Sequence, residues 1–148
     1  MKRFQFSLSR VLEFRRIESE RERAKLDAIV ARRTALLQAE AALAEEEIGL
    51  RHYIPADAAE RQARADYLVF VQKRQKQLIA ERTAVESHAT AQRLVVLQAE
   101  QRCDLLEKLK ARRHSEWQQE ADKALEELAD DSFRARLFAS GRTGTQKS

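Results

Sequence analysis

The side chains that acid–base, nucleophilic or metal chemistry would recruit are few: three histidines, one cysteine and a short run of glutamates. His52, His88 and His114 stand far apart and form neither an H-x-x-x-H nor an H-E-x-x-H arrangement, so no zinc-type ligand pair is spaced along a helix. Cys103 falls at an apolar position of a helical repeat, where a thiol packs as a small hydrophobe; a catalytic thiolate needs an adjacent base and an anion-stabilising pocket. Glu45, Glu46 and Glu47 are consecutive, and consecutive helical side chains point about 100° apart, so they face solvent rather than converge on a cation. The stretch GRTGT from Gly141 lacks the lysine and the strand-turn-helix setting of a phosphate loop. No catalytic, cofactor-binding or metal-binding residue is assigned, and a non-enzymatic protein is expected.

Charge is dense but nearly balanced, with 28 basic against 24 acidic residues and a net charge of +4. Residues 1–25 hold eight Lys or Arg against four Glu, whereas residues 116–131 hold seven acids against Lys123 alone. Most basic residues, including the pairs Arg32-Arg33 and Arg112-Arg113, suit solvated helix flanks that pair with Glu at i±4. Arg15 and Arg16 differ, since they sit between apolar residues at the basic end and mark a partner contact. The positive charges are interleaved with Glu, and the aromatics occur at helical spacing rather than on a stacking platform, so no nucleic-acid partner is expected.

The elements that must carry these residues are helical. Ala, Glu, Leu, Lys and Arg supply 86 of the 148 residues, while three glycines and one proline leave almost no tight turns, which rules out all-β and α/β folds. An apolar share of 43%, rich in alanine, suits a thin helix–helix seam and does not fill a core around a solvent-excluded cleft. No apolar run approaches the roughly 20 residues of a membrane span, and one cysteine makes no internal disulfide, so a cytoplasmic protein without membrane insertion is expected.

Leu8, Arg15, Glu22, Ile29, Leu36, Leu43 and Leu50 recur every seven residues, with Leu12 and Leu26 at the other seam position and Val30 and Leu37 widening it. The tightest packing is expected from Leu26 to Leu50. Pro55 then ends the helix and Asp57-x-x-Glu60 starts another, close to a capping box. The second seam runs Val71, Leu78, Val85, Ala89, Gln92, Val96, Ala99, Cys103, Leu106, Lys110, Arg113 and Trp117. The expected fold is all-α: one antiparallel coiled-coil hairpin over residues 1–140, helix one about 8–51, turn about 52–57, helix two about 58–138, and a disordered tail 141–148. Closing the hairpin near residue 55 places Leu36 near residues 72–80 and the start of helix one opposite residues 102–106. Helix two then projects past helix one, carrying Trp117, Leu125, Leu128, Phe133, Leu137 and Phe138. Truncating Phe4 and Phe6 is expected to leave this fold intact.

The residues at both ends form a recognisable pattern. The opening F-x-F-x-L-x-x-V-L-x-x-R (Phe4, Phe6, Leu8, Val11, Leu12, Arg15), the segment LLEKLK from Leu105 to Lys110 and the closing WQQEADKALEELA from Trp117 to Ala129 resemble the FliJ family of flagellar type III export proteins. The resemblance covers approximately residues 2–138. It implies a two-helix stalk, similar to the central stalk of rotary ATPases, whose joined terminal ends enter the pore of the hexameric export ATPase, FliI, and promote ring assembly and ATP turnover. Contacts with the export-gate protein FlhA and with export chaperones are implied too, at the cytoplasmic face of the inner membrane beneath the flagellum. The ATPase contacts then fall on Phe4, Phe6, Leu8, Val11, Leu12, Arg15, Arg16, Trp117, Leu125 and Leu128. Tyr67 and Phe70 resemble the aromatic patch that meets the gate, although Arg74 and Gln77, one and two turns on, are polar. Two alternatives stand beside this reading: an injectisome stalk of the YscO type, and a generic coiled-coil scaffold that homodimerises through the projecting segment.

Overall fold

The computed structural model describes residues 2–143, apart from the side chain of Thr143, and is all-α. Helix α1 spans Ser9–His52 (44 residues) and α2 spans Ala58–Thr143 (86 residues); the two pack against each other, and no strand occurs among the described residues. Two compact units divide the chain, one running Arg15–Gln101 and the other joining residues up to Phe14 with those from Arg102 onward. Helix α2 continues five residues past its expected end at Phe138, through Gly141, so the expected tail is helical as far as Thr143; residues 144–148 lie outside the described residues. A lone glycine costs a helix only about 1 kcal/mol, and no described glycine has a positive φ.

The Arg15–Gln101 unit contains the reversal. Pro55 offers no amide to α1, so the chain leaves the helix after His52 and spans residues 53–57 without regular structure. A reciprocal cap restarts it: Asp57 Oδ1 accepts from the Glu60 amide at 2.8 Å, and Glu60 Oε2 accepts from the Ala56 amide at 2.7 Å. Arg64 Nη1 closes the turn from α2 by donating to the Tyr53 carbonyl at 2.9 Å.

Between the helices lies a seam one side chain wide. From Ser19 to Leu50 the positions of α1 that are not exposed are Ser19, Glu22, Leu26, Ile29, Arg33, Leu36, Glu40, Leu43, Glu47 and Leu50, an unbroken alternation of steps of three and four. From Ile29 onward one heptad position is apolar and the other charged. Each charged member reaches α2: Arg33 Nε donates to Glu86 at 3.1 Å, Glu40 accepts from Arg82 Nε at 2.9 Å, and Glu47 accepts from Gln75 Nε2 at 2.8 Å. Opposite them Val71, Leu78, Ala89, Val96 and Ala99 are buried.

Three expectations are corrected here. Val30 and Leu37 do not widen the seam, since both remain more than a third exposed, and the polar positions take that place. The pairs Arg33–Glu86 and Glu40–Arg82 bracket Leu36 and set it opposite residues 82–86 rather than 72–80, because the first turn of α2 is consumed in capping the connection. Close packing is not confined to Leu26–Leu50, for Gln92, itself buried, donates Nε2 to the Glu22 carboxylate at 2.6 Å and to the Glu22 carbonyl at 3.0 Å. A buried amide with both contacts satisfied is tolerated where an unpaired one costs kilocalories.

Two outcomes follow from this packing. Gly49 lies inside α1 with open space where a Cβ would stand, so Gly49→Ala is expected to raise unfolding stability by about 0.5–1 kcal/mol in urea titrations. The Glu22, Glu47 and Glu86 carboxyls are held below the ordinary value of 4.5, chiefly by hydrogen bonds from Gln92, Gln75 and Arg33 respectively. A carboxyl depressed in the fold stabilises it fully above its ordinary value, and that contribution disappears as pH falls through the depressed values. Thermal melts should therefore be flat between about pH 6 and 8 and fall below about pH 4.5; a melting temperature that holds or rises on acidification contradicts these contacts.

Candidate functional site

The unit formed by residues up to Phe14 and from Arg102 onward holds most of the residues singled out as ATPase contacts. Its core is small: Leu12 (2% exposed), Phe6 and Cys103, with Phe4, Leu106 and Leu109 packed around them. Residues 2–6 are not helical, and the Ser9 amide, bonded to the Phe6 carbonyl at 3.2 Å, marks where α1 begins. This segment lies along α2 as a strap. The Phe4 ring meets His114 edge-on at a centroid distance of 4.9 Å and Trp117 at 5.9 Å, and His114 and Trp117 are 5.8 Å apart.

The strap buries part of the expected contact set within the chain. Phe6, within the strap, and Leu12, on the first turn of α1, are buried, while Trp117 is half-buried against Phe4 instead of projecting. Lys110 and Arg113, expected in the seam, are exposed, and Leu109 and Ala121 pack in their stead. A non-helical strap does not follow a heptad, so the partner positions on α2 leave the heptad where it begins. The uncovered part of α2 accordingly starts after Ala124, later than the expected point near Leu106.

Leu8, Val11, Leu125 and Leu128 are exposed, the last two by 62% and 63%, and Phe133, Leu137 and Phe138 extend the exposed apolar surface along α2. Arg15 and Arg16 belong to the other unit, where Arg15 Nη1 pairs with Glu18 Oε2 at 2.8 Å. Also in that unit, Tyr67 and Phe70 form a tilted ring pair 5.8 Å apart, both exposed, with Val71 rather than Phe70 filling the seam. The Tyr67 hydroxyl donates to Glu46 at 3.1 Å, and that carboxylate raises the phenol above its ordinary value of 10.0. Arg74 pairs with Glu81 at 3.6 Å, so the aromatic pair borders a charged surface on its C-terminal side.

An open groove of about 450 Å³ beside the strap is lined by Lys2, Arg3 and Arg113 together with Glu116 and Glu120, an alternation of signs that concentrates neither anions nor cations. Among the described residues, no group of three or more His, Cys, Asp or Glu converges as a metal site, and no helix is long and apolar enough to cross a membrane. His114 was invisible as a packing residue in the sequence, because only the strap brings Phe4 to it. No protein-family model, curated protein or solved structure matches the chain.

Burial separates the strap from the free helix in a way that mutagenesis can read. Phe6→Ala removes a buried ring from a core of a few side chains and is expected to cost about 2–3 kcal/mol, less than a deep-core Phe because the neighbours can collapse. Leu125→Ala, on an exposed helix, should stay within about 0.5 kcal/mol. Phe4→Ala should shift the emission of the sole tryptophan, Trp117, to longer wavelength. Equal melting temperatures for Phe6→Ala and Leu125→Ala would contradict the strap.

Proposed function

We propose that the chain is a non-enzymatic stalk of a type III protein-export apparatus, of the flagellar kind that its sequence resembles. In this reading it binds the hexameric export ATPase, promotes ring assembly and ATP turnover, meets the export-gate protein through Tyr67 and Phe70, and handles export chaperones at the cytoplasmic face of the inner membrane. The observation that carries the reading is the stretch of α2 after Ala124, a helix whose Leu125, Leu128, Phe133, Leu137 and Phe138 lie in water. Exposed apolar side chains of this size on a single uncovered helix fit insertion into a ring. Leu8 and Val11, in the same unit, are exposed as well, while Phe6 and Leu12 pack within it.

ATP hydrolysis by the export ATPase of the same organism tests this, with the full chain added in increasing amounts. Leu125→Asp/Leu128→Asp is expected to weaken half-maximal stimulation by about 30-fold, equivalent to about 2 kcal/mol of lost anchor contacts, with helix content unchanged. Arg15→Glu/Arg16→Glu should weaken it at low salt and less so as salt rises, since exposed charges are screened beyond about 8 Å at physiological ionic strength. If both variants stimulate like the parent, or the parent does not stimulate at all, the stalk reading falls.

A further inference from the structure

The free part of α2 carries a second heptad that no part of the described chain covers. Leu125, Leu128, Ser132, Ala135 and Ala139 follow steps of three, four, three and four along one face, and all five are exposed. We propose that this face pairs antiparallel with the same face of a second copy of the chain, about a two-fold axis near residue 130. The proposal does not rest on the stalk reading, because it needs only this protein.

The argument is the self-complementarity of the face. A two-fold contact presents one patch to itself, so large must meet small and acid must meet base within a single sequence. Antiparallel layering of alternating seam positions about residue 130 sets Leu125 against Ala135 of the second copy and Leu128 against its Ser132, and the converse. On one flank of the seam stand Asp122, Ala129 and Arg136, and on the other Ala124, Asp131 and Phe138. The same axis brings Asp122 to Arg136 of the second copy twice, sets Ala129 against its own equivalent, and lays Phe138, the most exposed of the aromatic rings at 81%, over Ala124. Asp122 and Arg136 are exposed and form no ion pair with each other or with another described residue, so both are available for pairing between copies.

One contact opposes the assembly. Asp131 meets its own equivalent on the axis, and like charges placed opposite each other destabilise a helix pair. The interface is also short, since Ala121 is already buried within the chain and closes the seam at that end. A weak, concentration-dependent dimer is therefore expected, with opposite charges selecting its orientation more than adding affinity. Any partner that takes Leu125 and Leu128 competes with it directly.

Sedimentation equilibrium of the full chain, followed to about 0.5 mM to reach a weak self-association, should show a monomer–dimer equilibrium. Arg136→Glu should weaken dimerisation at least tenfold, Asp122→Arg/Arg136→Glu should restore it, and Asp131→Asn should strengthen it. Ala129→Cys, beside the axis, should form a disulfide-linked dimer on mild oxidation, with the link mapped by peptide mass spectrometry to residue 129 rather than to the buried Cys103. A chain that stays monomeric throughout, or a dimer indifferent to both the charge swap and Asp131→Asn, overturns the proposal and leaves the face to a different protein. Loss of ATPase stimulation alone leaves it standing, because the sedimentation readout contains no ATPase.

Discussion

Everything in this chain depends on how little apolar surface two helices can hide from water when they meet along a seam one side chain wide. Leu36 on α1 and Val71, Leu78 and Val96 on α2 supply the burial in the hairpin unit. Between them the second heptad position is surrendered to Arg33, Glu40 and Glu47, which span to Glu86, Arg82 and Gln75. Half-buried polar contacts of this kind, two ion pairs and one amide hydrogen bond, add about 1 kcal/mol each, so their consequence is register more than stability. A slip of one heptad would preserve the apolar contacts and break the polar ones. Gln92 on Glu22 has the same effect at the other end of the unit, where slipping would leave a buried amide unpaired.

That economy explains the strap. Where α1 begins, helix–helix packing gives way to residues 2–6, and Phe4 and Phe6 cover α2 with rings that a short non-helical segment can place without heptad spacing. The cover ends near Ala121, and from Leu125 onward α2 is a helix with an apolar face and no cover among the described residues. A free helical end of that kind serves either reading of its partner, a ring that encloses it or a second copy that lies alongside it. The two uses are mutually exclusive on Leu125 and Leu128, so self-pairing would hold the face until a stronger partner displaces it.

The fold was legible in the sequence wherever a single residue had one physical consequence. Pro55 had to end a helix, Asp57-x-x-Glu60 had to begin one, and Leu36, Val71, Leu78 and Ala89 fall at seam positions of the heptad patterns and are buried. The polar half of the seam was not legible, because Arg33, Glu40 and Glu47 have the composition of a solvated flank and only their partners on α2 reveal their place. The packing of the candidate site was less legible. Leu125 and Leu128 are exposed as expected, yet Phe6, Leu12 and Trp117 pack within the chain. A strap outside any helix has no period for the eye to follow, and it moves the α2 pattern from Lys110 to Leu109.

Residue-resolved hydrogen exchange on the dilute protein tests most directly the claim that seam contact, rather than helix propensity, decides which parts of this chain are stable. Amides of α2 from Val71 to Cys103 should exchange only through global unfolding. Those from Leu125 to Phe138 should exchange orders of magnitude faster through local fraying, with the step falling between Trp117 and Leu125, where the strap ends. Uniform protection along the whole of α2 would contradict the account, for it would mean that the helix is held by something other than the seam and the strap.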